Sequence, residues 1–540
     1  MRSLKCSTHG RVLVMLSAAA IGALACSPKV RNYGGATDDI GEGGGGADAE
    51  GGGGSGAAGG GSGAAGGGGS GGDATGGGGS DAAGGGGSGG DGGGETTAPP
   101  GQFHWALQIG ENGFDSAVSV AVDPEGNPIV IGRFAGAIDL GGGPLTAGQG
   151  SGAYLVKYDR EGKHLWSKSF GLSLSGGQHV ATGSRGELFV GGSYFRDLDF
   201  GGGPLPVSNG GLGLARFAGA DGAHVWSKGF GDQYVKELRY VAVDNTGAVL
   251  ISGSIGGTAD FGGGPVGDDL SGNAVYLAKL DAKGNHVFTT YIDDERAHLA
   301  AGGVAADAEG NVAIAGAFEE NLWLGVVRRP LVSNGGKDIF VGKLSPQGTV
   351  LWRRSFGDSL ADAASQVAFD PKGNVLLGGT FQGSVDFGGG PLVALGTRPN
   401  FFVAKFDPEG NHLYSRGFGD SELQDVASVA SDPAGNAVIT GTFLGNIDFD
   451  GAVLTSKGTT ADVQGYRQGG DIFIAKLGRA GEHLWSRHIG DPEMQLAGGV
   501  AVGPEGEVFA VGSFRGTVDL GGGPVTSRGE TDGYLVKLGP

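Results

Sequence analysis

The sequence predicts an all-β chain folded as a seven-bladed β-propeller of four-stranded antiparallel blades. Three observations predict it. A Val-Ala pair recurs at Val120, Val180, Val241, Val304, Val367, Val429 and Val500, at intervals of 60, 61, 63, 63, 62 and 71 residues. Each copy leads into the same succession of Gly-containing turn, apolar run, aromatic-Val-x-Lys segment and aromatic segment. The last copy stops one segment short, and a matching orphan segment, Phe103 to Gly110, stands in front of the first. A repeat of this length cannot bury its own apolar face and needs neighbours on both sides. A β-rich unit present seven times meets that need by closing into a circle.

Within the first unit, Val120-Ala121-Val122 is the first strand and Asp123-Pro124-Glu125-Gly126-Asn127 a turn. Ile129 to Phe134 is the second strand, followed by the loop Asp139-Leu140-Gly141-Gly142-Gly143-Pro144. Tyr154 to Tyr158 is the third strand, Asp159 to Gly162 a turn, and His164 to Phe170 the fourth strand. The turn chemistry is specific. Asp supplies a side-chain acceptor, Pro presets φ, and Gly takes the position that needs positive φ. Asp-Pro-x-Gly-Asn returns at Asp370, Asp407 and Asp432, with a near copy at Asp307. A calcium loop needs more oxygen donors in register than one Asp and one Asn, so these read as turns.

Ala follows Val in every copy because the strand nearest the axis is the most crowded. Each second strand carries a Gly (Gly132, Gly192, Gly253, Gly316, Gly379, Gly441, Gly512), which predicts a niche for a neighbouring aromatic ring. Each third strand carries a cation: Lys157, Arg216, Lys279, Lys343, Lys405, Lys476 and Lys537. Six second strands end in Asp: Asp139, Asp199, Asp260, Asp386, Asp448 and Asp519. The two series read as a repeated ion pair. His164, His224, His286, His412 and His483 lie one per blade, too far apart to share a metal, and read as rings packed beside the aromatic two residues on. The orphan segment, with Trp105 in the place of Trp166, is expected to complete the last blade and remove two exposed sheet edges.

The Gly-x-Phe, Asp-Phe-Gly-Gly-Gly-Pro and Phe-Val-x-Lys-Leu elements make the unit resemble the bacterial seven-bladed β-propeller (SBBP) repeat of exported and surface-attached proteins. The resemblance covers Gln102 to Pro540. It implies a fold and an address, with no common catalytic motif. Asp-x-x-Gly-x-x-x-Trp, as in Asp159 to Trp166, is similar to an element of quinone-dehydrogenase-like propellers.

Ahead of the propeller, Arg2, Lys5 and Arg11 precede an apolar run from Val12 to Ala20, an export signal too short for a permanent span. Ala23-Leu24-Ala25-Cys26 resembles a bacterial lipobox, which implies cleavage of residues 1–25 and lipidation of Cys26. Ser27, in place of Asp, points to the outer membrane, on its periplasmic or cell-surface side. Only Cys6 and Cys26 exist, so disulfides contribute nothing to the exported body. Residues 26–101 are dominated by Gly, Ser and Ala and are expected to be a disordered tether reaching ~45–50 Å. The net charge of -20 argues against nucleic acid as a partner and for basic partners or cations.

Candidate site residues fall into three sets. Acids open the crossovers from fourth to next first strand: Glu111, Asp232, Asp293, Asp358, Asp420 and Asp491, followed by Asp115, Glu237, Glu295, Asp362 and Asp425. They form a candidate ring for a cation such as Ca²⁺, or for a basic partner, against the simpler reading that each caps its own turn. His179, Tyr240 and Gln366 precede Val-Ala pairs and are expected at the mouth of the central channel. Blade 4 departs from the repeat between Glu319 and Leu331, bringing Trp323, Arg328 and Arg329, and blade 6 has a longer loop with Tyr466 and Arg467; these are candidate partner loops. Within residues 102–540 no Gly-x-Ser-x-Gly, His-Glu-x-x-His or phosphate-loop motif occurs, and the Gly-Gly-Gly-Pro runs read as loops between strands with no helix behind them to bind a dinucleotide phosphate. The expectation is a monomeric, lipid-anchored, non-catalytic binding scaffold at the cell envelope, its protein or glycan partner unspecified. The alternatives are an enzyme acting on a glycan or peptide at the channel mouth, and an envelope-assembly lipoprotein of the quinone-type propeller kind.

Overall fold

The computed structural model describes residues 99–540, apart from residues 171–173, 195–197, 207–210, 232–235, 269–273, 295–298, 326–327, 459–461, 464–465 and 468–469. For residues 149, 174–177, 236, 268, 293–294, 462–463 and 466–467 it describes the backbone alone. Cys26, the export signal, the tether as far as residue 98, Asp232 and Glu295 lie outside the described residues. The described residues belong to one compact unit.

Seven antiparallel blades of four strands each stand around one axis, the third carrying two further strands at its outer edge. Blade 1 consists of Ser116–Val122, Pro128–Asp139, Pro144–Tyr158 and His164–Ser169; the four strands stand where expected, but the second runs on to Asp139 and the third begins at Pro144, ten residues earlier than predicted. First strands of consecutive blades contact one another around the ring, and that of blade 7 contacts that of blade 1. Closure follows the expected route. Phe103–Ile109 pairs antiparallel with Asp532–Leu538, Trp105 lying opposite Lys537 as Trp166 lies opposite Lys157. The two ends of the ring meet, Gly101 N–H donating to the Pro540 carbonyl at 3.3 Å.

The core lies between blades, where the faces of neighbouring sheets interlock. Ile129, Ile131 and Leu155 of blade 1 pack with Val190, Phe200 and Phe217 of blade 2, all at most 2% exposed. Burial of this kind is worth about 1.5–3 kcal/mol per large side chain and is available only with a neighbour in place. The niche over the second-strand Gly is real, but its occupant comes from the same blade. A methyl at Gly132 would lie 2.0 Å from the Ser116 carbonyl and 2.4 Å from the Tyr154 hydroxyl, and one at Gly316 2.6 Å from the Phe340 ring.

Adjacent blades are stitched at their outer strands. Trp105, Trp226 and Trp352 donate their indole N–H to the carbonyls of Arg160, Ala282 and Pro408, in the turn between third and fourth strands of the next blade. The Gly of that turn lies against the ring: a methyl on Gly410 would come 2.8 Å from Trp352. This accounts for Asp-x-x-Gly-x-x-x-Trp as the two halves of a contact repeated from blade to blade.

Blade 4's departure is a hairpin, Asn321–Leu324 with Leu331–Val332, that adds to the outer strand of blade 3, His286–Asp294. Ile292 pairs with Leu324 and Asp293 with Trp323, which makes blade 3 six-stranded. Leu322 and Leu324 are buried while Trp323 between them is exposed, the alternation of a strand half covered by protein. Asp293 is thus part of the outer strand. Within the long loop of blade 6, Asp462–Val463 and Tyr466–Arg467 form a two-stranded ribbon described at the backbone only.

Candidate functional site

Because strands alternate in direction, the turns between first and second strands and between third and fourth strands share one face of the ring, the turn face. The loops between second and third strands share the opposite, crossover face with the blade-to-blade connections. The candidate residues divide between these faces and the channel that joins them.

On the turn face the repeated ion pair exists with a different partner from the one expected. Lys157 Nζ lies 2.6 Å from Asp123 Oδ2, and the pair recurs at Lys279–Asp244 (2.8 Å), Lys343–Asp307 (3.1 Å), Lys405–Asp370 (2.7 Å) and Lys476–Asp432 (2.8 Å). Asp123 Oδ1 accepts the N–H groups of Glu125 and Asn127, and Oδ2 accepts the Asn127 side chain, so one carboxylate builds the turn and receives the Lys. Burial would raise the carboxyl pKa of Asp123, Asp244, Asp370 and Asp432; hydrogen bonds from the Lys and the turn reverse this and hold them below the usual range. The Lys also reaches forward: Lys405 donates to the Gly435 carbonyl of the next blade at 2.7 Å.

The Asp139 series does something else. Asp139 Oδ1 accepts Gly141 N–H and Gly143 N–H at 2.8 and 3.1 Å, and Asp199, Asp260, Asp386 and Asp519 repeat the arrangement. These acids stand at the far end of the blade from the Lys. In blades 1, 2, 3 and 5 the His ring lies on the middle Gly of the same loop: a methyl on Gly142 would be 2.2 Å from His164 and one on Gly389 2.3 Å from His412. Each of these four imidazoles also meets a hydroxyl three residues on, as His164 meets Ser167 at 3.0 Å and His286 meets Thr289 at 2.9 Å, whereas His483 of blade 6 stacks on Phe449. The rings are structural, as expected, but their seat is the glycine loop.

Three of the crossover acids, Asp358, Asp420 and Asp491, are committed to backbone. Asp358 accepts Leu360 N–H (2.7 Å) and Ser384 N–H (2.8 Å), Asp420 accepts Glu422 N–H (2.8 Å) and Asn446 N–H (2.7 Å), and Asp491 accepts Glu493 N–H (2.8 Å) and Thr517 N–H (2.5 Å). Each ties its crossover to a hairpin about 26 residues on, which extends the capping reading. Glu111 instead pairs with Arg528 at 3.3 Å.

His179, Tyr240 and Gln366 stand in the channel wall. All seven first strands show a register shift just before the Val-Ala pair, at Ala117/Ser119, Gly176/His179, Leu238/Tyr240, Ala301/Val304, Ala364/Gln366, Val426/Ser428 and Ala497/Val500. A bulge re-aims the next side chain and frees a carbonyl. Those carbonyls are what the inward groups bind. The Tyr240 hydroxyl donates to Ser365 O at 3.0 Å, passing blade 4 to reach blade 5, and Gln366 Nε2 donates to Ala427 O of blade 6 at 3.0 Å. Blade 4 makes room with Gly302 and Gly303, where a methyl would come 2.5 Å from Ala364 O and from Val367 N. The His179 ring is 5.0 Å from that of Tyr240. Burial lowers the His179 pKa to about 4 and raises that of Tyr240 to about 12, so both are neutral near pH 7.

On the turn face the channel opens into a cavity of about 610 Å³ lined by six blades, including Pro124, Ala308, Phe369, Pro371, Pro433 and Pro504. Its carboxylates, Asp123, Asp307, Asp370 and Asp432, are the ones held by Lys. Among the partner loops, Trp323 is 40% exposed, and Arg328 and Arg329 are exposed.

Sequence reasoning missed the acids that begin third strands. Asp338, Asp471 and Asp532 are fully buried, each with one carboxylate oxygen lacking a hydrogen-bond partner. Their signal was legible: a polar residue ahead of an apolar strand in blades 4 to 7 (Asp338, Asn400, Asp471, Asp532), where blades 1 to 3 have Gly152, Gly211 and Ala274.

The arrangement defines a seven-bladed β-propeller whose polar repeats serve the ring. No family model matches the chain. It is 22% identical over 458 residues to the uncharacterized WD repeat-containing protein L264 of Acanthamoeba polyphaga mimivirus, a match over 77% of this chain and 30% of that protein. The chain thus spans about a third of its relative's length. Similar solved structures include Sqt1 from Chaetomium thermophilum (12% identity, TM-score 0.37, 82% of this chain and 100% of that one). The acylaminoacyl peptidase of Pyrococcus horikoshii is another (9% identity, TM-score 0.40, 79% of this chain and 52% of that one).

Proposed function

We infer that this protein is a non-catalytic binding scaffold, presenting the turn-face mouth of the propeller to a protein or glycan and held at the outer membrane through a lipid on Cys26. The observation that carries the binding reading is the mouth itself. It offers about 610 Å³ of space walled by prolines, alanines and Phe369, and its lining carboxylates are ion-paired to Lys. A rigid wall with a few fixed polar groups selects by shape; general acid or base work needs a titratable group able to exchange a proton with a ligand. The anchor rests on Arg2 to Ala25 and on the Ala23-Leu24-Ala25-Cys26 sequence.

The test is a peptide and glycan array probed with the full chain, beside Ala308→Trp, which fills the mouth. Ligands lost in the variant support the reading; turnover of a bound ligand overturns it in favour of an enzyme. Incorporation of labelled palmitate into the wild type and its absence from Cys26→Ser support the anchor, and equal labelling removes it.

A further inference from the structure

The seams between consecutive blades of the second half of the ring bury a matched pair of polar side chains, one from the start of a third strand and one from the next crossover. Between blades 5 and 6 the pair is Asn400 and Gln424. A methyl on Gly419 would lie 2.2 Å from Asn400 Nδ2 and 2.4 Å from Gln424 Oε1, so this niche holds an N–H donor and a carbonyl acceptor. Between blades 4 and 5 the same niche, now over Gly357, holds Asp338 Oδ1 at 2.6 Å and Asp362 Oδ2 at 2.8 Å from the corresponding point. Two acceptors stand where the neighbouring seam has a donor and an acceptor.

Three of the four oxygens have donors. Asp362 Oδ1 accepts Gln382 N–H at 3.1 Å and Oδ2 accepts Asp358 N–H at 3.1 Å, while Asp338 Oδ2 accepts Asn334 N–H at 3.0 Å. Asp338 Oδ1 has none, and both residues are fully buried. The remaining charge that acts on the pair is another acid, Asp358, whose oxygens accept Leu360 and Ser384 N–H. Lys337, beside Asp338 in the chain, is exposed. Two carboxylates cannot both stay ionised in such a niche without a counter-charge, and one proton supplies the missing donor. We propose that Asp338 and Asp362 hold a single proton between them at neutral pH, with Asp338 Oδ1 donating to Asp362 Oδ2, so that the seam between blades 4 and 5 is a proton-binding site whose occupancy governs how firmly the ring is held there.

The seam where the N-terminal strand closes the ring is built alike. Asp115 accepts Glu111 N–H and Ala135 N–H as Asp362 accepts its two, and Asp532 Oδ1 is buried without a donor. There Gln108 and Arg528 N–H bind Asp532 Oδ2, and the Arg528 guanidinium lies beside Glu111. Burial displaces the blade 4–5 pair upward, Asp338 to about 6 and Asp362 to about 7, and Asp115 upward too.

Raised folded-state values mean that the folded chain keeps a proton the unfolded chain has lost. Stability therefore falls as pH rises from about 4 to about 7 and levels off above, the folded-to-unfolded ratio dropping by roughly a hundredfold for a displacement of about two units. The experiment is urea unfolding of the full chain at several pH values across that window, for the wild type, Asp338→Asn, which supplies a permanent donor, and Asp338→Asn/Asp362→Gln, which rebuilds the blade 5–6 pair. The expected result is a wild-type midpoint that falls with pH and a shallower slope in whichever variant folds. Equal slopes overturn the proposal. Infrared titration of the wild type covers the case in which neither variant folds: a protonated-carboxyl band lost between about pH 5 and 8 supports it, and no such band overturns it.

Discussion

The two faces of the ring handle buried carboxylates in opposite ways. On the turn face each buried Asp meets a Lys from its own blade, as Asp370 meets Lys405 at 2.7 Å, and the pKa of Asp370 is held down. On the crossover side Asp338 and Asp362 meet each other, and theirs are pushed up. The first arrangement recurs almost unchanged in blades 1, 3, 4, 5 and 6. The second changes from seam to seam, acid with acid, amide with amide, acid with amide. The turn face repeats because one carboxylate shapes a hairpin and receives a cation at once, so a change there costs both. A seam side chain binds local backbone N–H or carbonyl groups that an acid or an amide can each satisfy, and pairs are free to diverge.

Breaking the turn-face arrangement is expected to have the largest effect. Lys405→Met strands the Asp370 carboxylate and should destabilise the chain by about 3–5 kcal/mol in urea unfolding. Lys405→Met/Asp370→Leu, which removes both charges, should recover part of that loss. Next comes the crossover-side loop: Gly389→Ala drives a methyl to 2.3 Å from His412 and should cost about 1–3 kcal/mol, with His412→Ala in the same chain giving relief. Smaller again is Asp386→Ala, which removes the acceptor of Gly388 and Gly390 N–H at an exposed loop and should cost about 1 kcal/mol or less. The two faces should also part in their response to pH. The lowered pKa values of Asp123, Asp244, Asp370 and Asp432 mean stability lost as pH falls below about 4 through their folded values, opposite in sign to the seam's response to rising pH. Thermal melting across the acid range, wild type against Lys405→Met, isolates the turn-face share; an unchanged acid limb would remove these pairs as its cause.

The blades, the order of their strands and the closure by Phe103–Ile109 were legible because Val-Ala pairs, Asp-Pro-x-Gly-Asn turns and Trp positions repeat in step. The partner of the third-strand Lys was misread because two Asp series recur with the blades, one in six of them and the other in five. Counting along the strand decides between them: Lys157 lies opposite Ile129, near the start of the second strand, while Asp139 ends that strand. His179, Tyr240 and Gln366 stand out in the sequence by their place before Val-Ala, but their bonding was not legible. Tyr240 binds a carbonyl 125 residues away, exposed by a bulge that no local pattern announces. The hairpin of blade 4 was seen as a departure, and that it would extend blade 3 depends on which edge lies nearest in space.

Gly101 and Pro540 are hydrogen-bonded neighbours on the turn face, although the chain between them runs the full circumference. A short peptide bridging residues 101 and 540 would therefore make the domain covalently endless, and cutting it at any one connection between blades would give a re-ordered chain with the same contacts. Rotated versions of the gene could thus place an attachment point at any desired sector of the perimeter.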